Sequence, residues 1–213
     1  MARMNLTSRG IIAAAADIAD RDGFDGVTVS SIARDLGVQP ASLYGHVKDR
    51  AAVLDGIHEL ALDELADRIA AAVAGRAGRD ALIGLAEAHR SYAADFPGRW
   101  HALQLPATPE VAGSPAAARV ASLTLAMLRG YPLQGNDLVH ATRMLAATIN
   151  GYITLERAGS FGHRSPGSDE SWQHTLNALD AVLRQWSTRP DDEHDRGTEH
   201  HRGTEQGRNG AGE

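Results

Sequence analysis

The segment from residue 28 to residue 50 limits the possible folds more than any other part of the chain. It reads Thr-Val-Ser-Ser-Ile-Ala-Arg-Asp-Leu-Gly-Val-Gln-Pro-Ala-Ser-Leu-Tyr-Gly-His-Val-Lys-Asp-Arg. Its first half predicts a helix with an N-cap at Thr28, because apolar side chains recur at the i, i+3, i+4 and i+7 positions of one face, namely Val29, Ile32, Ala33 and Leu36. Gly37 predicts that this helix ends at Leu36, since glycine adopts the left-handed conformation of a helix C-terminus without steric cost.

The second half of the segment predicts a short helix from Pro40 to Val47. Proline suits the first helical turn, where its missing N–H would have had no partner. Only Leu43 and Val47 are clear core anchors, so most of this helix is free to face a partner. Two such helices joined by a tight turn form a helix-turn-helix, whose second helix fits the major groove of B-DNA, about 12 Å wide.

At nearly every position, this segment resembles the DNA-binding motif of the TetR family (tetracycline-repressor-like regulators). The matching residues are the Ile32-Ala33-x-x-Leu36-Gly37-Val38 run, Pro40, the Leu43-Tyr44-x-His46-Val47 run and the Asp49-Arg50 pair. The resemblance implies an all-α fold. It places an N-terminal three-helix domain at 1–50, with the helix-turn-helix at about 28–47, and a C-terminal ligand-binding and dimerisation domain at 51–188, joined by a long helix.

The resemblance also implies which residues contact DNA. Phosphate contacts are expected from Thr28, Ser42, Tyr44, His46 and Arg50, and base contacts from Gln39, Pro40, Ala41 and Gly45. Ser30 and Lys48 complete the predicted DNA-contact residues. Arg50 replaces the usual lysine, which keeps the charge but changes its geometry. Gly45 stands where a long or aromatic residue is common, so we expect weak direct readout there.

The charge balance bears on the nucleic-acid partner. The formal net charge is -6, whereas phosphate contacts by Lys and Arg dominate DNA affinity. Acidic residues crowd the first predicted helix and its exit, but Arg3, Arg9, Lys48 and Arg50 lie where family members approach the DNA backbone. We therefore expect modest non-specific affinity with a shallow salt dependence.

Composition disfavours several other classes of protein. The chain has no cysteine, which excludes disulfides, thiolate metal sites and cysteine nucleophiles. No apolar run approaches the ~20 residues that span a bilayer, and no signal peptide precedes the first helix, so we expect a cytoplasmic protein that does not enter the membrane. The sequence lacks three motifs that would indicate an enzyme: a nucleophile elbow, a glycine-rich phosphate loop and a His-Glu-x-x-His run. We expect no catalytic residue, no metal site and no cofactor.

Helical periodicity continues through the rest of the chain. It predicts a first helix from Ser8 to Asp22, a long helix that begins after Asp49 and runs to Gly75, and a helix from Asp80 to Phe96. A short helix opens at Pro97, and residues 108–113 are predicted to be irregular. Three further helices are predicted, with N-caps at Ser114, Asn136 and Ser168.

The composition changes abruptly after Pro190, to Asp, Glu, His, Arg and Gly. Such a segment cannot bury a core, so residues 189–213 are predicted to form a disordered tail. Its three histidines, His194, His200 and His201, could bind a metal ion loosely, but a solvated tail is the favoured interpretation.

Helical phase in the C-terminal domain selects candidates for a ligand pocket. A small, apolar effector is predicted to contact His89, Tyr92, Trp100, Gln104, Met127, His140, Met144 and Asn150. Several of these have an alternative role, since a lone histidine, tryptophan or methionine on an apolar face often fills the core instead.

The last predicted helix carries its apolar residues in alternating steps of four and three, as in a coiled-coil seam. With the preceding helix it is predicted to form half of a dimeric four-helix interface, through Tyr152, Trp172, Leu176, Leu179, Leu183 and Trp186. The alternative is burial of this seam against its own domain. The sequence around Asn150-Gly151-Tyr152 also resembles the C-terminal domain of a TetR subgroup with a Trp…His-Gly signature, in which Asn150 would replace the histidine.

Two functions are compatible with these features. The first is a transcriptional regulator: a homodimer whose recognition helices lie about one DNA turn (~34 Å) or a multiple apart on a pseudo-palindromic operator. A small-molecule effector would release it, most often as a repressor in this family. The second is a helical carrier or enzyme that retains the helix-turn-helix. Binding to DNA distinguishes them.

Overall fold

A computed structural model describes residues 6–186, and every regular element in this range is a helix. A short 3-10 helix, Phe24–Gly26, follows the first of them. The α-helices are α1 (Ser8–Asp22), α2 (Val29–Asp35), α3 (Pro40–Leu43), α4 (Arg50–Val73), α5 (Gly78–Asp95), α6 (Pro97–Gln104), α7 (Pro109–Ala112), α8 (Pro115–Leu128), α9 (Asn136–Arg157) and α10 (Ser168–Arg184). The all-α prediction is therefore confirmed. Within residues 6–186, no helix is both long and apolar enough to cross a membrane.

Local sequence sets the ends of the first helices. Thr7 caps α1 by accepting a hydrogen bond from the N–H of Gly10. Thr28 and Ser31 form a reciprocal capping box at the start of α2. The regular part of α2 ends at Asp35 and Leu36 is its C-cap, one residue before the predicted end, and Gly37 follows with φ +66°. Asp49 caps α4, as predicted, through the N–H of Ala52.

Two hydrophobic clusters divide the described residues. The N-terminal core joins α1, α2 and α3 to the first turns of α4, through residues such as Ile11, Ile18, Ile32, Leu43 and Ile57. The C-terminal core joins the rest of α4 to α5, α8, α9 and α10. Because α4 runs through both clusters as one helix of 24 residues, it connects them rigidly.

The seam of α10 faces this C-terminal core. Trp172, Leu176 and Leu183 are at most 1% exposed, and Leu179 is 6% exposed. These side chains pack against their own subunit and leave no surface for a second one, so their assignment to a dimer interface is wrong. Tyr152 and Trp186 are half-buried against the same core. A regular four-three spacing specifies a buried helix face, and the sequence does not say which chain covers it.

Several boundaries differ from the predictions. The segment predicted to be irregular contains α7, which Thr108 caps through the N–H of Val111. Ser114 caps α8 as predicted, but Asn136 and Ser168 are the first residues inside their helices, where Gly135 and Gly167 hold the cap positions. The predicted tail at 189–213 and residues 1–5 lie outside the described residues.

Candidate nucleic-acid interface and ligand cavity

The second helix of the helix-turn-helix is held by one buried anchor. Leu43 is 1% exposed, while Tyr44, just after the helix, is 59% exposed. The regular helix is only four residues long, and a turn over 44–46 follows it. Most of the predicted DNA-contact residues lie exposed along this short surface, namely Gln39, Pro40, Ala41, Ser42, Tyr44, Gly45, His46 and Lys48.

Hydrogen bonds between helices fix this surface relative to the rest of the N-terminal core. The Ser8 hydroxyl at the start of α1 donates to the main-chain carbonyl of His46, at 2.8 Å. Ser31 donates to the carbonyl of Gly26, at 2.7 Å, and Thr28 accepts from the N–H of Ser31. Thr28 and Ser30 remain exposed at the start of α2. Sequence analysis missed Ser31, although the Thr-x-x-Ser spacing is a capping pattern.

Arg50 differs from the other predicted DNA-contact residues. Its Nε donates to the main-chain carbonyl of Val27, at 2.6 Å, and one of its terminal nitrogens donates to that of Phe24, at 3.3 Å. Two of its donor groups thus hold the turn between α1 and α2 against the start of α4. Arg50 therefore has a structural role that the resemblance did not indicate.

A cavity of about 310 Å³ lies within the C-terminal helices. Its walls come from α4, α5, α6, α8 and α9, and consist of Leu62, Leu65, Leu85, His89, Trp100, Leu103, Gln104, Ala117, Val120, Ala121, Thr124, Thr142, Leu145, Ala146, Ile149 and Asn150. Four of the eight predicted pocket residues are among them: His89, Trp100, Gln104 and Asn150.

The other four predicted pocket residues lie elsewhere. Tyr92 and Met127 are buried in the C-terminal core, Met144 is half-buried against it, and His140 is exposed on α9. The Tyr92 hydroxyl donates to Glu64, at 2.7 Å, and burial together with this carboxylate raises the pKa of Tyr92. Helical phase selects the inward side of a helix, but it does not separate a cavity wall from the filled core beside it.

His89 is the one ionisable side chain of the cavity wall. Its Nδ1 lies 2.8 Å from the carbonyl oxygen of Leu85, one turn earlier on α5. The indole of Trp100 meets the imidazole edge to face, with ring centroids 6.3 Å apart. Burial lowers the pKa of His89 below its ordinary 6.5, although the hydrogen bond to Leu85 acts in the opposite direction. His89 is therefore neutral at neutral pH.

A buried arginine connects the cavity-bearing helices to α1. Arg99 lies at the start of α6 with a side chain only 9% exposed, and it pairs with Asp17 and Asp20 of α1 and with Glu64 of α4. Asp20 also accepts hydrogen bonds from the main-chain N–H groups of Gly98 and Arg99, at 2.8 and 2.9 Å. Sequence analysis missed this network, because its members are far apart in the chain.

Gly98 allows the close approach of α6 to α1. A Cβ at this position would lie 2.1 Å from the carbonyl carbon of Ala19, which no side chain can tolerate. The opposite side of α6 supplies Trp100, Leu103 and Gln104 to the cavity. This one short helix therefore touches both the cavity and the helix-turn-helix domain.

Two parts of the chain match domains of one family of known proteins. Residues 11–55 match the family of bacterial regulatory proteins named tetR, and residues 82–179 match the tetracyclin repressor-like C-terminal domain. An HTH-type transcriptional regulator of Mycobacterium tuberculosis is 31% identical over 156 residues, which cover 72% of this chain and 72% of the relative. The chain belongs to the TetR family. It is a DNA-binding transcriptional regulator.

Solved structures share the fold of this TetR-family chain. A protein of unknown function from Rhodococcus superposes with a TM-score of 0.72 and 23% identity, over 86% of this chain and 98% of that one. A TetR variant from Acinetobacter baumannii, solved in complex with minocycline, superposes with a TM-score of 0.63 and 23% identity, over 84% and 97% of the two chains.

Proposed function

We propose that this TetR-family regulator is a repressor that binds a pseudo-palindromic operator as a homodimer and leaves it when a small molecule fills the cavity. The observation that carries the proposal is the position of α6. Trp100 and Gln104 on this helix line the cavity, while Gly98 and Arg99 hold α1. A ligand that displaces α6 therefore acts directly on the domain that carries the recognition surface.

Release requires that the ligand bind one conformer better than the other. In one conformer, the two recognition surfaces have the spacing that the operator requires. In the second, α6 is shifted. The differential affinity of the ligand for these two conformers sets how far it weakens operator binding. The minocycline complex of the Acinetobacter protein is a precedent, on the same fold, for a small molecule bound to a family member.

The homodimer is proposed to form through the exposed faces of α9 and α10. Three large apolar side chains there are about half exposed, namely Val139 (45%), Leu155 (48%) and Val182 (48%). Exposed apolar groups on two adjacent helices favour burial against an identical pair in a second subunit. A two-fold dimer places two recognition surfaces on one face of the DNA. Because its proposed partner is operator DNA, we propose that the protein is cytoplasmic.

The proposed operator binding is tested by selecting bound sequences from a random DNA pool at fixed salt. We expect enrichment of a two-fold-symmetric motif whose half-sites lie about one helical turn apart. Ala41→Glu, on the recognition surface, should abolish the enrichment, and Glu110→Ala, on α7, serves as the matched control that retains it. A folded protein that enriches no motif would contradict the proposal and favour the carrier alternative.

A further inference from the structure

The cavity wall carries no formal charge at neutral pH. Its polar members are His89, Gln104, Thr124, Thr142 and Asn150, and the remaining lining residues are apolar. A carboxylate or ammonium group that entered would lose its hydration without gaining an opposite charge, which is costly. The wall therefore favours a neutral ligand.

The volume of the cavity limits the size of that ligand. At about 310 Å³ it is twice as large as an apolar cavity of ~150 Å³ that binds benzene. The indole of Trp100 and the aliphatic side chains of Leu103 and Ile149 form part of its wall. A molecule of about two fused rings matches this volume and would bury its faces against these side chains.

Two hydroxyl groups of the wall are fixed as hydrogen-bond acceptors. The hydroxyl of Thr124 donates to the carbonyl of Val120, at 3.0 Å, and that of Thr142 donates to the carbonyl of Leu138, at 2.7 Å. Each hydroxyl proton is therefore already used, and only oxygen lone pairs are left for a ligand.

The same reasoning fixes the tautomer of His89. The carbonyl oxygen of Leu85 can only accept, so the proton of the neutral imidazole lies on Nδ1. Nε2 is then a bare acceptor, and no described residue forms a hydrogen bond with it. An acceptor in an apolar wall that lacks a protein partner selects a ligand with a donor group at that point.

We propose that the cavity selects neutral molecules of about two fused rings that carry a hydroxyl group, and that this hydroxyl donates a hydrogen bond to Nε2 of His89. The inference rests on the proposed function only in taking this cavity as the effector site. It goes beyond that function by naming the chemical class of the effector and the residue that recognises it.

The test compares three two-ring probes by titration calorimetry with the full chain at neutral pH. β-Naphthol carries the hydroxyl donor, β-methoxynaphthalene has the same oxygen without the proton, and β-naphthoate is an anion. We expect β-naphthol to bind about tenfold more tightly than its methyl ether, the size of one buried hydrogen bond. β-Naphthoate should bind more weakly than β-naphthol.

Variants assign the preference to His89. His89→Leu should abolish the difference between naphthol and its ether, whereas His89→Gln, whose amide oxygen also accepts, should retain much of it. Thr142→Val is the matched control: it removes another acceptor oxygen of the cavity wall and should retain the preference, because the proposal assigns the hydroxyl donor to His89. Equal binding of naphthol and ether by the folded wild type, tighter binding of naphthoate, no binding of naphthol, or an unchanged preference in His89→Leu would overturn the proposal.

The random-pool selection separates this inference from the proposed function. If the protein enriches no operator motif but prefers naphthol, the proposed repressor function is wrong and the proposed ligand class is retained. If it enriches an operator motif but shows no naphthol preference, the proposed operator binding is retained and the proposed ligand class is wrong.

Discussion

Arg50 and Tyr44 show how residues of one motif divide between structure and contact. The guanidinium of Arg50 donates to the carbonyls of Val27 and Phe24, and so belongs to the scaffold of the N-terminal core. Tyr44 is 59% exposed, and the structure gives its hydroxyl no hydrogen bond to any described residue. Of these two residues, only Tyr44 has a side chain that is wholly available to a phosphate.

We expect Tyr44→Ala to affect DNA binding and Arg50→Ala to affect stability. Tyr44→Ala should leave the melting temperature unchanged and weaken binding to all DNA sequences similarly, because phosphate contacts position the protein without reading sequence. Arg50→Ala should lower the free energy of unfolding by about 1–2 kcal/mol, since two main-chain carbonyls lose their partner. Thermal melts and DNA titrations measure both effects. A changed sequence preference in Tyr44→Ala, or an unchanged stability in Arg50→Ala, would contradict this division.

At the scale of elements, α6 is one of the helices that contact both the cavity and α1. The Asp20 carboxylate holds the first residues of α6 by accepting hydrogen bonds from two main-chain N–H groups. A negative charge is favourable there, because this is the N-terminus of the helix. Arg99 then balances this carboxylate and Glu64 in a place that little water reaches. A buried charge that loses its partner destabilises a protein far more than an exposed one.

Arg99→Met tests this connection. We expect a loss of about 2–3 kcal/mol in the free energy of unfolding, because Asp20, whose side chain is only 16% exposed, is left without its counter-charge while Asp17 and Glu64 still reach solvent. Arg119→Met is the matched control: Arg119 also bridges two carboxylates, Asp63 and Asp67 of α4, but in a solvated position, so little should change. Urea denaturation compares the two. Equal losses would show that the position of Arg99 is not special.

At the scale of the whole molecule, the dimer is the first property to test. Leu155→Glu together with Val182→Glu places charges on the proposed interface without entering the core, since both side chains are about half exposed. We expect helical monomers with weakened operator binding, measured by light scattering and DNA titration. Leu125→Glu, on α8 and 37% exposed, is the control that stays dimeric. A dimer that survives the double substitution would place the interface elsewhere.

The stability of the whole chain should fall as the pH drops below about 6.5. Burial lowers the pKa of both His58 and His89, while Asp55 acts in the opposite direction on His58. The unfolded chain, with ordinary values near 6.5, therefore binds more protons than the folded chain in this range. The stabilisation is complete above 6.5 and is lost as the pH falls toward the lowered folded values. Melts at neutral and mildly acidic pH should show a smaller loss in His58→Gln with His89→Gln, and an equal loss would exclude these histidines as the cause.

The sequence alone determined what depends on neighbours along the chain. Helix periodicity gave α1 its exact bounds, capping residues such as Asp49 and Ser114 gave two helix starts, and Gly37 marked the turn of the helix-turn-helix. The motif from Ile32 to Arg50 pointed to the TetR family, which the comparisons confirm. These signals are local, because caps, turns and helical faces involve residues only a few positions apart.

Only the tertiary structure decided what depends on residues brought together from distant positions. The apolar spacing of α10 is compatible with packing against its own subunit or against a second one. In the structure, this face packs against the C-terminal core of its own subunit. Whether His89 or Tyr92 reaches the cavity depended on how five helices leave space between them. Arg99 and its carboxylates are 35 to 82 positions apart, so no local pattern joins them, and folding alone placed that charge between the cavity and the DNA-binding domain.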